Sequence, residues 1–269
     1  MLRLSRAIGA LIVTLALVSG VAPAATAAEP LHRQARSSND YVALGDSFAA
    51  GYGAGIPTGA CGRSSFGYPS LIAKIGHLDL TLAACSGATM ADVARTQLSA
   101  LTDGTDFVTI QVGGNDVGFV PVLGVCAQPD SDTRCAGALA QSTAYLNNGF
   151  ATNAAGLFGA VRAAAPNAKL IVVGYPRLFG SKDCSPFTQF TGTERHLLND
   201  ATDLLNRRLA KAARATGASF TNPTKRFDDH AWCDRLPWIN GPVPVGAFHP
   251  NLFGQVFGYL PVVGRYFLD

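Results

Sequence analysis

The chain has 269 residues, of which 48% are hydrophobic and 14% are charged. This composition excludes an intrinsically disordered protein and suits one large domain or two small ones. The 21 Lys and Arg residues exceed the 18 Asp and Glu residues by only three, so the strongly basic signature of a nucleic-acid-binding protein is missing. We therefore expect a globular protein with no nucleic-acid partner.

The first 27 residues have the pattern of a secretory signal peptide. Arg3 and Arg6 precede an apolar run over residues 7–22, and residues 25–27 read Ala-Thr-Ala, a small-x-small cleavage site. A membrane anchor is the alternative, but the run is shorter than the roughly 20 residues that span a bilayer. We therefore predict a signal peptide over residues 1–27 and a secreted protein.

The mature chain is predicted to consist of a flexible leader and one domain. Residues 28–39 are polar and show no periodicity, whereas residues 40–269 alternate between apolar runs and helical patterns. Cleavage after Ala27 removes two arginines and no acidic residue, so the mature protein is almost neutral. No later apolar run in the sequence is long enough to span a bilayer, and we expect a monomer.

Five short apolar runs, most of them rich in β-branched residues, predict the strands of one sheet. Continuous apolar runs, rather than alternation, are typical of parallel strands that are covered on both faces. The predicted strands are residues 41–44, 78–82, 107–112, 170–173 and 219–221.

Helical patterns lie between these strands, as expected for an α/β domain with right-handed crossovers. The predicted helices are residues 68–75, 90–101, 146–165 and 194–216. Three further stretches are predicted to be irregular, and long loops of this kind are often functional. They are residues 117–134, 180–192 and 223–249.

Six cysteines lie in the mature part of the chain, and an even number in an oxidising compartment favours three disulfides. The sequence allows fifteen connectivities. Sequential pairing closes the smallest loops and is the one that we predict. A zinc site is the alternative, but the chain has no C-x-x-C pair. The predicted pairs are Cys61–Cys85, Cys126–Cys135 and Cys184–Cys233.

The first candidate for chemistry is a serine that directly follows the first predicted strand. Ligands of parallel α/β sheets bind at the carboxyl ends of the strands, and Ser47 lies there within Gly-Asp-Ser at residues 45–47. The hydroxyl suits a nucleophile, although a serine at this point can equally cap a helix. The motif is not the G-x-S-x-G elbow of the α/β-hydrolase fold, because residue 49 is alanine.

The next two strands are also followed by candidate groups. Gly87 follows the second strand and offers a backbone N–H for an oxyanion, although a plain turn glycine fits equally well. Asn115 follows the third strand after two glycines. Its side-chain N–H can hold developing negative charge, although an Asx turn is the alternative.

A histidine near the carboxyl end of the chain is the candidate base. His249 directly precedes Pro250, which places it at the end of a loop. The other four histidines have no comparable setting, although a single histidine can be structural.

These four segments occur in the order Ser, Gly, Asn, His, and together they resemble the SGNH (GDSL) hydrolase superfamily, in particular its secreted lipase/esterase branch with three disulfides. The similarity spans essentially the whole mature chain. It implies a flavodoxin-like three-layer α/β/α fold with five parallel strands, and no metal or organic cofactor. It also implies that Ser47 is the nucleophile, that His249 is the general base and then acid, and that the N–H groups of Ser47, Gly87 and Asn115 form an oxyanion hole.

One position departs from the family pattern. Many members have an aspartate three residues before the histidine, and here that residue is Gly246. A backbone carbonyl can accept the Nδ1–H bond that orients the ring, and we predict that Gly246 O does so in a Ser–His dyad. Asp228, Asp229 or Asp234 remain alternatives.

The predicted substrates are acyl esters, with fatty-acyl or lipid esters favoured. Residues 117–125 are almost wholly apolar and follow the Asn115 turn, so they either line an acyl groove or pack onto the sheet. Trp232, Trp238 and Phe248 are candidates for further apolar wall. A carbohydrate acetylesterase, a phospholipase and a non-catalytic lipid- or glycan-binding module are the alternatives, but a binding module needs no oxyanion hole.

Overall fold

Five parallel strands form a single sheet whose order along the sheet is β2-β1-β3-β4-β5. The computed structural model describes residues 39–180 and 190–267. The strands are β1 (Asp40–Gly45), β2 (Asp79–Leu82), β3 (Phe107–Gln111), β4 (Lys169–Val173) and β5 (Ser219–Thr221). All five predicted strands are confirmed, with ends that shift by one residue at most.

Burial explains why the central strands read as continuous apolar runs. Every residue of β1, β3 and β4 after the first is buried, whereas the edge strand β2 alternates between exposed and half-buried positions. In-register pairing, such as Val42 with Val108 and Val108 with Leu170, aligns the carboxyl ends of the three central strands. The residues that follow these strands therefore meet along one edge of the sheet.

Helices cover both faces of the sheet and give the three-layer arrangement. They are α1 (Ser47–Ala50), α2 (Tyr68–Gly76), α3 (Met90–Thr96), α4 (Phe119–Cys126), α5 (Asp132–Asn148), α6 (Phe150–Ala164), α7 (Gly192–Ala215) and α8 (Leu260–Gly264). A π-helix (Gly254–Tyr259) packs with α2 and α8, whereas α3 packs with α6, and α6 and α5 pack with α7. Short 3₁₀ helices lie at Leu98–Ala100, Thr224–Phe227 and Arg265–Phe267.

Three predictions along the chain were wrong in part. The region 117–134, predicted to be irregular, contains α4 and the start of α5. The predicted helix 146–165 is the end of α5 followed by α6, because Gly149 interrupts the chain between them with φ −138°. The predicted helix 90–101 ends at Thr96 and continues as a 3₁₀ turn.

Two of the three predicted disulfides are confirmed. Cys61 bonds to Cys85 and joins the region after α1 to the end of β2, and Cys126 bonds to Cys135 and joins α4 to α5. Cys184 lies outside the described residues, so its pairing with Cys233 stays a prediction. The predicted signal peptide and all but the last residue of the leader also lie outside them. None of the helices in the described part is long and apolar enough to cross a membrane.

Candidate active site

Ser47 is the first residue of α1, at the point where the strand order reverses between β1 and β3. The helix is capped by the residue before it: Asp46 accepts a hydrogen bond from Phe48 N at 2.9 Å. The capping alternative for Ser47 is therefore wrong, and its hydroxyl is available for another partner. Ser47 Oγ lies 2.7 Å from His249 Nε2. The structure thus brings together two residues that are 202 positions apart in the chain.

The His249 ring is oriented by a backbone carbonyl, but not by the predicted one. Its Nδ1 lies 2.8 Å from Ala247 O. Gly246 O instead accepts the backbone N–H of His249 at 3.1 Å and the side-chain Nδ2 of Asn240 at 3.2 Å. The prediction for Gly246 is therefore wrong by one residue. The reason is a tight turn over residues 246–249, which uses Gly246 O for its own closing hydrogen bond.

The backbone around Gly246 has no room for an aspartate side chain at this position. Gly246 has φ +77°, and a Cβ built on it would lie 2.4 Å from Gly53 Cα, so a side chain has no room there. Asn240 holds the two glycine segments together, because its Nδ2 donates to Gly53 O at 3.0 Å as well as to Gly246 O. The three alternative acids, Asp228, Asp229 and Asp234, line a separate cavity next to Arg177.

Burial and aromatic neighbours keep the His249 ring neutral. The ring of Phe48 lies 4.8 Å from it and that of Tyr52 lies edge-on at 5.2 Å. Burial lowers the pKa of His249 below its usual 6.5, and the hydrogen bond to Ala247 O opposes this shift only in part. A neutral imidazole is the form that can accept a proton from Ser47.

The lowered pKa predicts the pH dependence of activity. Because only neutral His249 acts as a base, we expect kcat/KM for a chromogenic ester to fall with decreasing pH along a limb whose midpoint lies below pH 6.5. The measurement is kcat/KM against pH. Since Asp46 titrates nearby, Asp46→Asn serves as the control and should keep the acid limb. An acid limb centred above pH 6.5 would contradict the assignment.

Gly87 lies at the rim of the same site, in a segment fixed by the Cys61–Cys85 disulfide. Cys61 O accepts both the backbone N–H of Ser86 at 3.0 Å and its hydroxyl at 2.8 Å. Gly87 has φ +82° and is exposed, a conformation that favours glycine. Within residues 39–180 and 190–267, the N–H groups of Gly87 and Ser47 donate to no protein acceptor.

The Asn115 side chain is held in place by one of its two N–H groups. Nδ2 donates to Ala88 O at 3.0 Å, which leaves its second hydrogen for a ligand. The preceding turn needs glycine, because a Cβ on Gly113 (φ +127°) would lie 2.6 Å from the ring of Phe150. Asp116 anchors the turn to α3 by accepting the backbone N–H of Met90 at 3.1 Å.

Sequence reasoning missed a hydrogen-bonded link beneath these groups. Tyr175 OH donates to Asp46 Oδ2 at 2.5 Å and accepts Gly114 N at 3.3 Å, so it joins the serine turn to the asparagine turn. Burial raises the pKa of Asp46 to about 7, although the bonds from Tyr175 and Phe48 oppose this. Tyr175 follows β4 by two residues, so the strand-end rule that found the other groups would also have found it.

A cleft of about 560 Å³ opens at Ser47 and His249. Apolar side chains from three regions of the chain form most of its wall: Phe119, Val120 and Leu123 from α4, Pro176 and Leu178 after β4, and Leu205 from α7. Residues of the segment 117–125 thus line the cleft, and the acyl chain that it would hold stays a prediction. Val117 and Val122 line a small second cavity together with residues of α5 and α7, so packing of this segment onto the sheet is not confirmed.

Of the three aromatic residues predicted to add apolar wall, one lines the cleft. Phe248 lies in the wall, and Trp232 packs edge-on behind it at 5.3 Å. Trp238 instead stacks on His230 at 3.8 Å, outside the cleft, so its prediction was wrong.

The site has the arrangement of a serine hydrolase: a serine is hydrogen-bonded to a histidine at the carboxyl edge of a parallel sheet. Residues 43–256 match the GDSL-like Lipase/Acylhydrolase family. Lipase 1 of Streptomyces coelicolor is 37% identical over 238 residues, which are 86% of this chain and 87% of that protein. The chain therefore belongs to the GDSL-like lipase/acylhydrolase family.

Two solved structures have the same fold. An extracellular lipase from Streptomyces rimosus is 35% identical, with a TM-score of 0.80 over 84% of this chain and 99% of that one. A phospholipase A1 from Streptomyces albidoflavus is 32% identical, with a TM-score of 0.81 over 85% of this chain and 99% of that one. These structural relatives support the three-layer SGNH hydrolase fold implied by the sequence.

Proposed function

We propose that this protein is a secreted carboxylic-ester hydrolase that cleaves fatty-acyl esters with a Ser47–His249 dyad. The 2.7 Å contact between Ser47 Oγ and His249 Nε2 at the mouth of an apolar cleft carries the proposal. A nucleophile within hydrogen-bond reach of a base is what acyl transfer requires. The predicted signal peptide and the extracellular Streptomyces rimosus relative support secretion.

The reaction begins when Ser47 Oγ attacks the carbonyl carbon of the ester and its proton passes to His249 Nε2. The carbonyl oxygen becomes an oxyanion that the N–H groups of Ser47, Gly87 and Asn115 stabilise. The intermediate collapses, the C–O bond of the ester breaks, and the alcohol leaves with the proton from His249. Water then attacks the acyl carbon, with His249 again as the base. The bond between that carbon and Ser47 Oγ breaks, His249 returns the proton to Ser47 Oγ, and the carboxylic acid leaves.

A carbonyl in place of an aspartate suffices to orient the base. Ala247 O accepts the Nδ1–H of His249, which fixes the tautomer whose Nε2 is free to take the serine proton. It adds no full negative charge to stabilise the imidazolium. The dyad therefore depends on precise positioning, and Asn240 supplies it by bonding the histidine loop to the segment after α1.

A fluorophosphonate probe tests the proposal directly. Such a probe reacts with an activated serine, so we expect it to label the wild-type protein at Ser47, located by mass spectrometry of the labelled peptide. His249→Ala should abolish labelling because the base is lost. Asn251→Ala, a nearby substitution outside the dyad, should leave labelling intact. Labelling at another serine, or equal labelling without His249, would overturn the dyad.

Phospholipid cleavage is the second candidate, because the Streptomyces albidoflavus relative is a phospholipase A1. Phosphatidylcholine vesicles and fatty-acyl nitrophenyl esters, assayed side by side, separate the two candidates. The apolar wall of the cleft argues against a sugar acetate as the substrate, since acetate leaves that wall in contact with water. Activity confined to acetate esters would contradict the fatty-acyl assignment.

A further inference from the structure

A small apolar cavity, called the void below, lies directly behind one wall of the cleft. Its volume is about 30 Å³, which is large enough for a water molecule or a short stretch of hydrocarbon. Three residues border both the cleft and the void: Phe119, Thr202 and Leu205. The rest of its lining is largely aliphatic: Val117, Val122, Leu139, Ser142, Leu146, Leu198 and Ala201.

The void is suited to hydrocarbon and not to water. Its lining has two hydroxyl groups, and both already donate within the protein: Ser142 Oγ to Val117 O at 2.6 Å, and Thr202 Oγ to Leu198 O at 3.0 Å. A buried water needs two to four polar partners, and this lining offers few. An alkyl chain needs none, and it would gain the contacts that the wall now lacks.

Of the three residues that separate the cleft from the void, Phe119 is the least buried. Thr202 and Leu205 are buried on α7, which packs against α5, α6 and β5. Phe119 is half-buried and is the first residue of α4, directly after Gly118 in the left-handed conformation. Phe119 can therefore be replaced by a smaller or a larger residue without disturbing the sheet.

We propose that Phe119 sets the acyl-chain length that the cleft accepts, and that the void behind it is an extension of the acyl site that the Phe119 ring separates from the cleft. The proposal rests on the function proposed above. The far end of a bound acyl chain meets the Phe119 ring, and chains longer than the cleft gain no further burial. Removal of the ring joins the two spaces and lets a longer chain enter.

The test is kcat/KM for nitrophenyl butyrate, octanoate, laurate and palmitate with Phe119→Ala. Burial of about two further methylene groups corresponds to a gain of roughly tenfold, so we expect the palmitate-to-octanoate ratio to rise by about that factor. Phe119→Trp, which enlarges the ring, should lower the ratio. Val120→Ala is the matched control: Val120 is the next residue, lines the cleft and does not border the void.

A second substitution fills the void from behind. Ala201 borders the void but not the cleft, so Ala201→Leu combined with Phe119→Ala should return the ratio towards the wild-type value. Thermal unfolding and fluorophosphonate labelling of each variant confirm that it is folded and has a reactive serine. If Phe119→Ala does not fold, Phe119→Leu and Phe119→Trp give the same comparison in opposite directions.

The outcomes separate this inference from the proposed function. A wild-type protein that hydrolyses none of the four esters contradicts the function itself. A wild-type protein that hydrolyses them, with Phe119→Ala giving the same chain-length profile as Val120→Ala, overturns the role of Phe119 and leaves the function standing. If Phe119→Ala shifts the chain-length profile and the added Ala201→Leu substitution does not reverse the shift, the void is not the extension of the acyl site.

Discussion

Replacement of Ser47 by alanine should lower kcat for ester hydrolysis by about 10⁴–10⁶-fold, the loss seen when a serine hydrolase loses its nucleophile. The variant should remain folded. Ser47 Oγ bonds to His249 Nε2, whereas the α1 cap is made by Asp46, so the helix start does not depend on the hydroxyl. The measurements are kcat for a fatty-acyl nitrophenyl ester and the midpoint of thermal unfolding.

A matched serine controls for the loss of a hydroxyl group. Ser70 is half-buried, and its Oγ donates to Ser64 O at 3.2 Å, away from the cleft. Ser70→Ala should keep kcat near the wild-type value while losing a hydrogen bond of comparable kind. If Ser47→Ala retained the turnover of this control, Ser47 would not be the nucleophile and the hydrolytic proposal would fail.

The strands could be predicted because the central ones are covered on both faces. Successive residues of such a strand point to opposite faces of the sheet, and helices cover both faces, so every position is apolar. Val108 is one example, and the sequence of its strand is therefore a continuous apolar run. The strand order was not readable in the same way. The strand order depends on which face of the sheet each connecting helix crosses. That choice is set by many weak packing contacts, and none of them has a recognisable sequence pattern.

Helix α4 escaped prediction because helices are recognised by a periodic contrast between apolar and polar positions. Its sequence, FVPVLGVC, has no polar residue: Phe119, Val120 and Leu123 line the cleft, and Val122 lines the void. The α5–α6 break at Gly149 was missed for a related reason. One glycine within a long helical pattern is tolerated and does not by itself mark the end of a helix.

The positions of Ser47, Gly87 and Asn115 could be predicted because parallel strands end at a common edge of the sheet. Their roles, and the inclusion of His249, came only from the resemblance to the SGNH hydrolases. The carbonyl that orients His249 could not be predicted. The choice of Ala247 over Gly246 follows from a turn in which Phe248 has φ +60°, and local geometry of this kind has no clear sequence pattern.

Asn115→Ala is expected to lower kcat by about 10²–10³-fold, the usual effect of losing one oxyanion donor. Among the described residues, the half-buried side chain makes one hydrogen bond, from Nδ2 to Ala88 O. Its loss costs about 0.5–1.5 kcal/mol of unfolding free energy, so the protein should stay folded. Because the donor acts on charge that develops only in the transition state, KM should change little.

Asn148→Ala provides the comparison that makes this result specific. Asn148 Nδ2 also donates to a backbone carbonyl, Ala144 O at 2.8 Å, but on the exposed end of α5. The two variants lose the same type of bond, and only Asn115 faces the cleft. A large loss of kcat in Asn115→Ala alone assigns the effect to the oxyanion. Equal rates in the two variants would mean that the backbone N–H groups of Ser47 and Gly87 hold the oxyanion without the amide.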